Sequence, residues 1–254
     1  MPAELVKYCV EDGVAWITIN RPEVLNALNS EAHAQLRGAL RRAEEDESVR
    51  VVVLTGEGRA FCAGADVREF VGKGPVEVRR HAEEARGTVE ALIKLSKPVI
   101  AMVNGLALGT GCELVMACDL AVASSDAKLG QPEARLGMIP GLGATQRLTM
   151  LAGPKRAKEL LMTGRLLDAE EAARLGLVNA VVPREELKRA VKELAEELKK
   201  RDPEVLKLIK DAVNRPLEAL ISAGLGVELE SFALSFSSGA PHRGIREFLE
   251  RGRG

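Results

Sequence analysis

Residues 99–123 read VIAMVNGLALGTGCELVMACDLAVA, and they show how the centre of the chain is organised. The apolar run at 99–103 predicts a buried strand, and residues 109–117, which follow Asn104-Gly105, predict a short helix. Residues 118–123 predict a second strand. A strand, a helix and a strand in this order favour parallel strands covered by helices.

The same alternation of strands and helices extends towards the N-terminus. Residues 6–19 alternate apolar and polar side chains on either side of a Glu-Asp-Gly turn, which predicts a β-hairpin. Ser30 is the predicted cap of a helix, 51–54 is a short apolar strand, and 75–95 is a charged helical stretch. We therefore predict an α/β core through about residue 125.

Beyond residue 154 the pattern becomes helical, with glycine or proline between the segments. The C-terminal part is therefore predicted to be predominantly helical, and no internal repeat is visible. The predicted helical segments are 154–163, 168–175, 184–201, 203–213 and 216–236.

Composition narrows the class of protein. The 254 residues are 46% hydrophobic and 29% charged, which is typical of a folded globular chain. A net charge of −1 and 3% aromatic residues argue against a nucleic-acid-binding surface. The first twelve residues do not resemble a signal peptide, so we expect a cytoplasmic location.

Cysteine and histidine give no sign of a metal site. The four cysteines have no paired or zinc-finger spacing, and we expect them to be reduced and mostly buried. The three histidines lie in charged helical or loop context and are expected at the surface. Neither Cys62 nor Cys112 has a histidine nearby in sequence, so neither is a good candidate nucleophile.

Glu113 is the only charged residue between Lys97 and Asp119. Burial of a lone carboxylate raises its pKa and allows it to exchange protons near neutral pH. A structural carboxylate paired with an arginine fits this segment equally well. A membrane span does not fit, because the apolar stretch is interrupted and shorter than the ~20 residues a span needs.

Two small-residue loops could hold a negative charge. Residues 105–111 (GLALGTG) approach a predicted helix N-terminus, where unpaired N–H groups suit a phosphate or a developing oxyanion. The loop is not a dinucleotide fingerprint, because Leu114 stands where the third glycine is needed. In the segment 61–66 (FCAGAD) the N–H of Ala65 could be a second donor. Ordinary tight turns explain both loops equally well.

A second glutamate follows a stiff loop. Glu133 comes after Gln131-Pro132, and a Pro-Gly pair follows at 140–141. By itself Glu133 could be a surface carboxylate. The chain has no G-x-S-x-G sequence for a serine nucleophile.

Taken together, these motifs resemble those of the enoyl-CoA hydratase/isomerase (crotonase) family over nearly the whole chain. The resemblance implies an α/β fold, a spiral of β-β-α units in residues 1–195 followed by a helical region in 196–254. It also implies trimers that pair into hexamers. The matching segments are 21–22 with 25–28, 60–66, 104–113, 131–133, 140–141 and 163–178.

The resemblance implies a site for a coenzyme A (CoA) thioester with no metal and no separate cofactor, since CoA is part of the substrate. The N–H groups of Ala65 and Thr110 would form the oxyanion hole. Glu113 would activate water and Glu133 would deliver a proton to the substrate Cα. Residues expected to bind the CoA thioester are Leu25, Ala27, Ala63, Asp66, Val67, Arg68, Gly109 and Gly141.

Two glutamates favour a hydratase, because many isomerases of the family keep only the second. The predicted activity is that of a hydro-lyase of fatty-acid metabolism, which adds water to the 2,3-double bond of a short- or medium-chain enoyl-CoA. An isomerase that moves the double bond is the alternative within the family. An RNA-binding relative is the alternative outside enzymology, and the near-neutral charge disfavours it.

Three positions depart from the usual pattern of the family. Thr110 stands where many members have glycine, and Glu23 stands where many have a lysine near the CoA phosphates. The C-terminal residues 250–254 lack the proline and aromatic residue that frequently close family members. We therefore expect differences in pocket shape and in the CoA contacts.

Overall fold

The structure, a computed structural model, describes residues 3–251. In this part of the chain, ten strands form two sheets. The larger sheet has the order β1-β2-β3-β5-β7-β10, and its strands are Val6–Glu11, Val14–Ile19, Val51–Gly56, Val99–Val103, Leu120–Ser124 and Ala180–Val182. The smaller sheet has the order β4-β6-β8-β9, and its strands are Ala60–Cys62, Leu106–Leu108, Lys128–Gly130 and Leu166–Asp168.

The predicted hairpin and central strands are confirmed. β1 and β2 pair antiparallel, whereas β2, β3, β5, β7 and β10 run parallel to one another. All six residues of β3 are buried. This burial explains why β3 is a continuous apolar run, since a parallel strand is covered on both faces.

The helices alternate with pairs of strands. One strand in the large sheet, one in the small sheet and one helix form a unit that occurs three times, as β3-β4-α2, β5-β6-α3 and β7-β8-α4. The helices of the described residues are α1 Ser30–Glu45, α2 Pro75–Lys94, α3 Thr110–Ala117, α4 Ala144–Thr163, α5 Ala169–Arg174, α6 Leu187–Lys199, α7 Pro203–Ser235 and α8 Ala240–Arg251.

Three helix boundaries differ from the sequence-based expectation. Asn29, not Ser30, caps α1, because its side chain accepts a hydrogen bond from the Ala32 N–H. α4 begins ten residues before the predicted start at 154 and is interrupted at Gly153, which has a φ of 76°. α7 continues through Pro216, where a helix was expected to end. Packing against α2 and α4 holds α7 together despite the hydrogen bond that proline removes.

The end of the predicted spiral falls inside a helix. The expected division after residue 195 lies within α6, whose Val191 and Ala195 pack against the large sheet through Trp16 and Val53. The two-region description stays a prediction. Residues 252–254, part of the C-terminal departure noted above, lie outside the described residues.

α7 is long and apolar, yet it is fixed to the core by charged groups. The segment Pro203–Ser238 is long and apolar enough to cross a membrane by length and composition alone. However, Lys210 of α7 is buried and its Nζ donates to Asp119 Oδ2 over 2.7 Å and to the carbonyl of Leu92 over 3.1 Å. We therefore interpret α7 as a helix packed on this domain.

Two of the three histidines are buried, so the expectation of surface histidines is wrong for them. His33 of α1 is 2% exposed and its Nδ1 lies 2.9 Å from Thr88 Oγ1 of α2. His81 packs edge-on against Phe70. Both lie between α1 and α2, and the charged residues around them in sequence belong to the outer faces of these helices. All four cysteines are free, and only Cys9 is exposed.

Candidate active site

The two small-residue loops meet at one end of the small sheet. β4 and β6 are parallel neighbours, so the loop after β4 and the loop after β6 leave the sheet side by side. A Cβ placed on Gly109 would lie 3.8 Å from Gly64 Cα, and one placed on Gly64 would lie 3.3 Å from Leu108 O. Both glycines have positive φ, 123° at Gly64 and 50° at Gly109. The two loops therefore approach each other as closely as backbone allows.

Each loop presents one N–H group that has no backbone acceptor. Asp66 N–H donates to Leu28 O and Leu28 N–H donates to Gly64 O, which fixes the chain on both sides of Ala65. Among the described residues, no hydrogen bond from the Ala65 N–H is found. Thr110 is the first residue of α3, so its N–H has no acceptor inside the helix. These two groups are the donors predicted for an oxyanion.

Glu113 lies in the first turn of α3 and is 2% exposed. Its Oε1 accepts two backbone hydrogen bonds, from Leu142 N–H over 2.8 Å and from Ala144 N–H over 3.0 Å. No ion pair to an arginine is found for Glu113 within residues 3–251. The carboxylate is therefore held by backbone N–H groups rather than by the arginine of the structural alternative.

Glu133 begins a short 3-10 helix, Glu133–Leu136, and its carboxylate faces Gly109. A Cβ on Gly109 would lie only 2.6 Å from Glu133 Oε1. When the Gln131 amide is turned so that its nitrogen faces Glu133, that nitrogen donates to Glu133 Oε1 over 3.1 Å. Glu133 is thus not a free surface carboxylate but closes the site against the second loop.

Burial and neighbouring charge raise the pKa of both glutamates. Burial raises the pKa of Glu113 well above its ordinary value, and the carboxylates of Glu228 and Glu133 raise it further. Its two N–H donors act in the opposite direction. Burial, followed by the charge of Glu228, raises the pKa of Glu133 to about 8. Carboxylates that raise one another's pKa in this way favour a proton shared within the site.

A third carboxylate at the site, the buried Glu228 of α7, was missed by the sequence analysis. It is 2% exposed and accepts hydrogen bonds from Gly143 N–H and Thr145 N–H over 2.6 and 2.8 Å. A signal was available on one side only, since residues 219–227 carry no charge before Glu228, but Glu230 follows two positions later. The separation of Glu228 in sequence from Glu113 and Glu133 does not indicate that the three side chains lie at one site.

Most of the predicted thioester-binding residues lie together. Ala63 N–H donates to Leu25 O over 3.0 Å, and Asp66 holds Arg21 and Arg68 at 3.1 and 2.6 Å. Arg21 also donates to Ala27 O, so Leu25, Ala27, Ala63, Asp66 and Arg68 belong to one cluster, which is buried at Asp66 and exposed at Arg68. Val67 is half-buried beside Phe70.

Gly141 and the buried cysteines lie deeper. Gly141 is buried against the ring of Phe232, next to Leu142 and hence beside the carboxylates. Burial raises the pKa of the Cys62 and Cys112 thiols to about 12, which agrees with their dismissal as nucleophiles. Within residues 3–251, no group of three metal-ligating side chains is found.

Comparison with known proteins identifies enoyl-CoA hydratases as relatives of this chain. The family model described as enoyl-CoA hydratase/isomerase matches residues 10–254. A short-chain-enoyl-CoA hydratase of Clostridium acetobutylicum is 43% identical over 95% of this chain and 93% of its own length. A crotonyl-CoA hydratase of Syntrophomonas wolfei is 39% identical over the same shares of the two chains.

Solved structures match equally well. A probable enoyl-CoA hydratase of Mycobacterium smegmatis superimposes with a TM-score of 0.86 at 36% identity, covering 93% of this chain and 96% of that one. An enoyl-CoA hydratase subunit of Geobacillus kaustophilus gives a TM-score of 0.81 at 43% identity, over 97% and 95% of the two chains. The predicted fold class, an α/β spiral with a helical C-terminal region, is confirmed.

Proposed function

The chain belongs to the enoyl-CoA hydratase/isomerase family and is an enoyl-CoA hydratase, and we propose that its substrate is a short- or medium-chain 2-enoyl-CoA. Water adds reversibly across the 2,3-double bond to give the 3-hydroxyacyl-CoA. The names of the two relatives, one a short-chain-enoyl-CoA and one a crotonyl-CoA hydratase, support the chain length.

The observation that carries the mechanism is the pair of unpaired N–H groups beside the buried Glu113 and the half-buried Glu133. The thioester oxygen accepts hydrogen bonds from Ala65 N–H and Thr110 N–H. Negative charge grows on this oxygen as the enolate forms, so donors fixed in advance stabilise the transition state, by about 3 to 4 kcal/mol each. This binding also polarises the double bond and makes its Cβ electrophilic.

The two carboxylates divide the proton transfers. Burial raises the pKa of Glu113, and the two N–H donors at its Oε1 oppose that effect by favouring the ionised form. In the ionised form, Oε2 accepts a proton from the attacking water. Glu133, with a pKa of about 8, holds a proton at neutral pH and donates it to Cα. Because the protonated form is lost as the pH rises through 8, hydration activity is expected to fall above about pH 8.

The test uses crotonyl-CoA in metal-free buffer, with loss of the conjugated thioester absorbance as the readout and mass spectrometry of the product. We expect a gain of one water. Glu113→Gln and Glu133→Gln should each lower kcat by about 100-fold or more while thioester binding is kept. Glu230→Gln, at a surface glutamate paired with Arg79, is the matched control and should be fully active.

Two results would contradict this mechanism. Normal turnover in either catalytic variant would remove that residue from the reaction. A product of unchanged mass with a displaced double bond would indicate the isomerase alternative.

The remaining contacts of the substrate follow the predicted surface. CoA lies along Leu25, Ala27, Ala63, Asp66, Val67 and Arg68, with the acyl end near Gly109 and Gly141. Arg68 is the cation available to the phosphates, and Glu23, which is exposed, opposes that contact.

No metal or separate cofactor takes part, and the enzyme acts in the cytoplasm. Retention of full activity after exhaustive chelation tests the first of these statements.

The assembled enzyme is a homotrimer or a hexamer. Large apolar side chains are exposed at every seventh position of α7, a spacing that keeps them nearly in line on one face. Leu220, Val227 and Leu234 are 77%, 68% and 69% exposed. Val213 continues the row. A row of this kind is costly in water, and covering it with another copy of the chain removes that cost.

A further inference from the structure

Glu228 and Glu113 bind the same short piece of backbone from two sides. Residues 142–145 join the Pro-Gly loop to α4, and the two carboxylates alternate along them. The four donors in chain order are the N–H groups of Leu142 to Glu113, Gly143 to Glu228, Ala144 to Glu113 and Thr145 to Glu228. Glu113 therefore binds residues 142 and 144, and Glu228 binds residues 143 and 145, so the two sets of donors interleave along the chain.

The geometry of Gly143 makes this alternation possible. Its φ of 113° lies in the left-handed region, and a Cβ there would lie 2.1 Å from Arg147 Nη1. Only glycine fits such a position without strain. The N–H groups of residues 142 and 144 can point at Glu113 only if residues 143 and 145 stay in place. Glu228 is the group that binds residues 143 and 145.

We propose that Glu228 is a positioning residue for the hydration reaction, which holds residues 143 and 145 so that the donors from residues 142 and 144 keep Glu113 aimed at the water. This inference rests on the proposed function. Glu228 is placed for it by α7, which is tied to the core at its other end through Lys210 and Asp119. The Thr145 hydroxyl donates to the same Oε2 as the Thr145 N–H and completes the contact.

The charge of Glu228 has a second effect on the same site. The groups around it are Arg86 of α2, Glu113 of α3, Glu133 of the 3-10 helix and Arg147 of α4 beside Gly143. Burial raises the pKa of Glu228, whereas the three donors at its carboxylate lower it, and in its ionised form its charge raises the pKa of Glu113 and Glu133. Removal of that charge should therefore lower the pKa of both.

The experiment compares Glu228→Gln with the wild type and with Glu230→Gln, a substitution of the same type two residues away at the surface. kcat and KM for crotonyl-CoA are measured across the range from about pH 5 to pH 10. A glutamine can accept only one of the two backbone donors, so Glu113 is misaligned and kcat should fall about 10- to 100-fold. KM should change less than about threefold, because the oxyanion donors are untouched. Both limbs of the kcat profile should move to lower pH.

Two results overturn the proposal. One is a kcat within about twofold of the wild type, and the other is a loss of kcat with both limbs of the pH profile unmoved. Should Glu228→Gln not fold, Thr145→Val removes only the hydroxyl donor to Glu228 and should give a smaller loss with a shift in the same direction. An unchanged profile in Thr145→Val then overturns the proposal.

The controls separate this inference from the proposed function. A wild type that does not hydrate crotonyl-CoA counts against the function. A wild type that does, with inactive Glu113→Gln and normal Glu228→Gln, counts against the positioning role alone.

Discussion

Gly109 lies where the loop after β6 meets both Glu133 and the loop that contains Gly64. It combines a φ of 50° with a missing side chain whose place is 2.6 Å from Glu133 Oε1. We expect Gly109→Ala to displace the Glu133 carboxylate and to strain the backbone that presents the Thr110 N–H. kcat for crotonyl-CoA should fall by about 100-fold, since misplacement by about 1 Å has effects of this size. Steady-state kinetics provide the measurement.

Gly38 in α1 is the matched control, because an added Cβ there has open space within 4 Å. Gly38→Ala should leave kcat unchanged and stabilise the fold by about 0.5 to 1 kcal/mol, as expected for alanine in a helix. Full activity in Gly109→Ala would show that Glu133 has room to move and that our reading of this contact is wrong.

At the residue scale, the burial of Glu113 was easier to predict from the sequence than its contacts. Glu113 was singled out because it is the only charge in an apolar segment, and burial follows from that pattern. Its partners could not be deduced, since the donors at 142 and 144 depend on how α4 is placed. The local sequence around Glu133 would suit a surface carboxylate equally well. Its place in the site follows from its contact with Gly109, which lies 24 positions earlier in the chain.

His33 and Thr88 join α1 to α2 by a buried neutral imidazole. Burial, followed by the charges of His81 and Arg37, lowers the pKa of His33 to about 3. Between about pH 6.5 and 3 the unfolded chain binds a proton there that the folded chain does not. Stability therefore falls as the pH falls, by about 1.4 kcal/mol per pH unit from this group.

We expect His33→Gln to reduce the loss of stability between pH 7 and 4.5 by up to about 3 kcal/mol. Urea unfolding at the two pH values and at one protein concentration measures the difference. Thr88→Val is the control, since it removes the hydrogen-bond partner but keeps the imidazole, and its stability should retain the pH dependence of the wild type. An identical pH dependence in His33→Gln and the wild type would contradict the assignment.

At the element scale, long periodic segments were predictable and short or proline-containing ones were not. Residues 75–94 form one helix as expected. α7 was divided at Pro216 because a proline inside a helix loses a hydrogen bond, whereas tertiary packing compensates for it here. β9 and β10 have three residues each and carry too little periodicity to be recognised.

At the scale of the whole molecule, the exposed row on α7 gives a direct test of assembly. A double substitution, Leu220→Glu with Val227→Glu, places two charges in the face that we assign to contact between copies. Repulsion and the cost of burying charge should reduce the assembly to monomers. Light scattering coupled to size exclusion gives the mass.

Val10→Glu introduces the same charge at an exposed apolar residue of β1 and should leave the assembly intact. An unchanged mass in the double variant would assign the contact between copies to another surface. The repeated β-β-α unit also belongs to this scale. It is plain in the structure but has no counterpart in a sequence repeat, because its units share only their pattern of burial.

The position of Glu228 in the chain has a consequence for how the enzyme is made. Glu228 lies 95 positions after Glu133, so a ribosome adding about 5 to 20 residues per second delivers it roughly 5 to 20 s later. During this interval the nascent chain already carries the two carboxylates that we propose to be catalytic, but not the helix whose Glu228 binds residues 143 and 145. Catalytic competence is therefore acquired only when α7 docks, and until then the surface that α7 covers is open to chaperones and to aggregation.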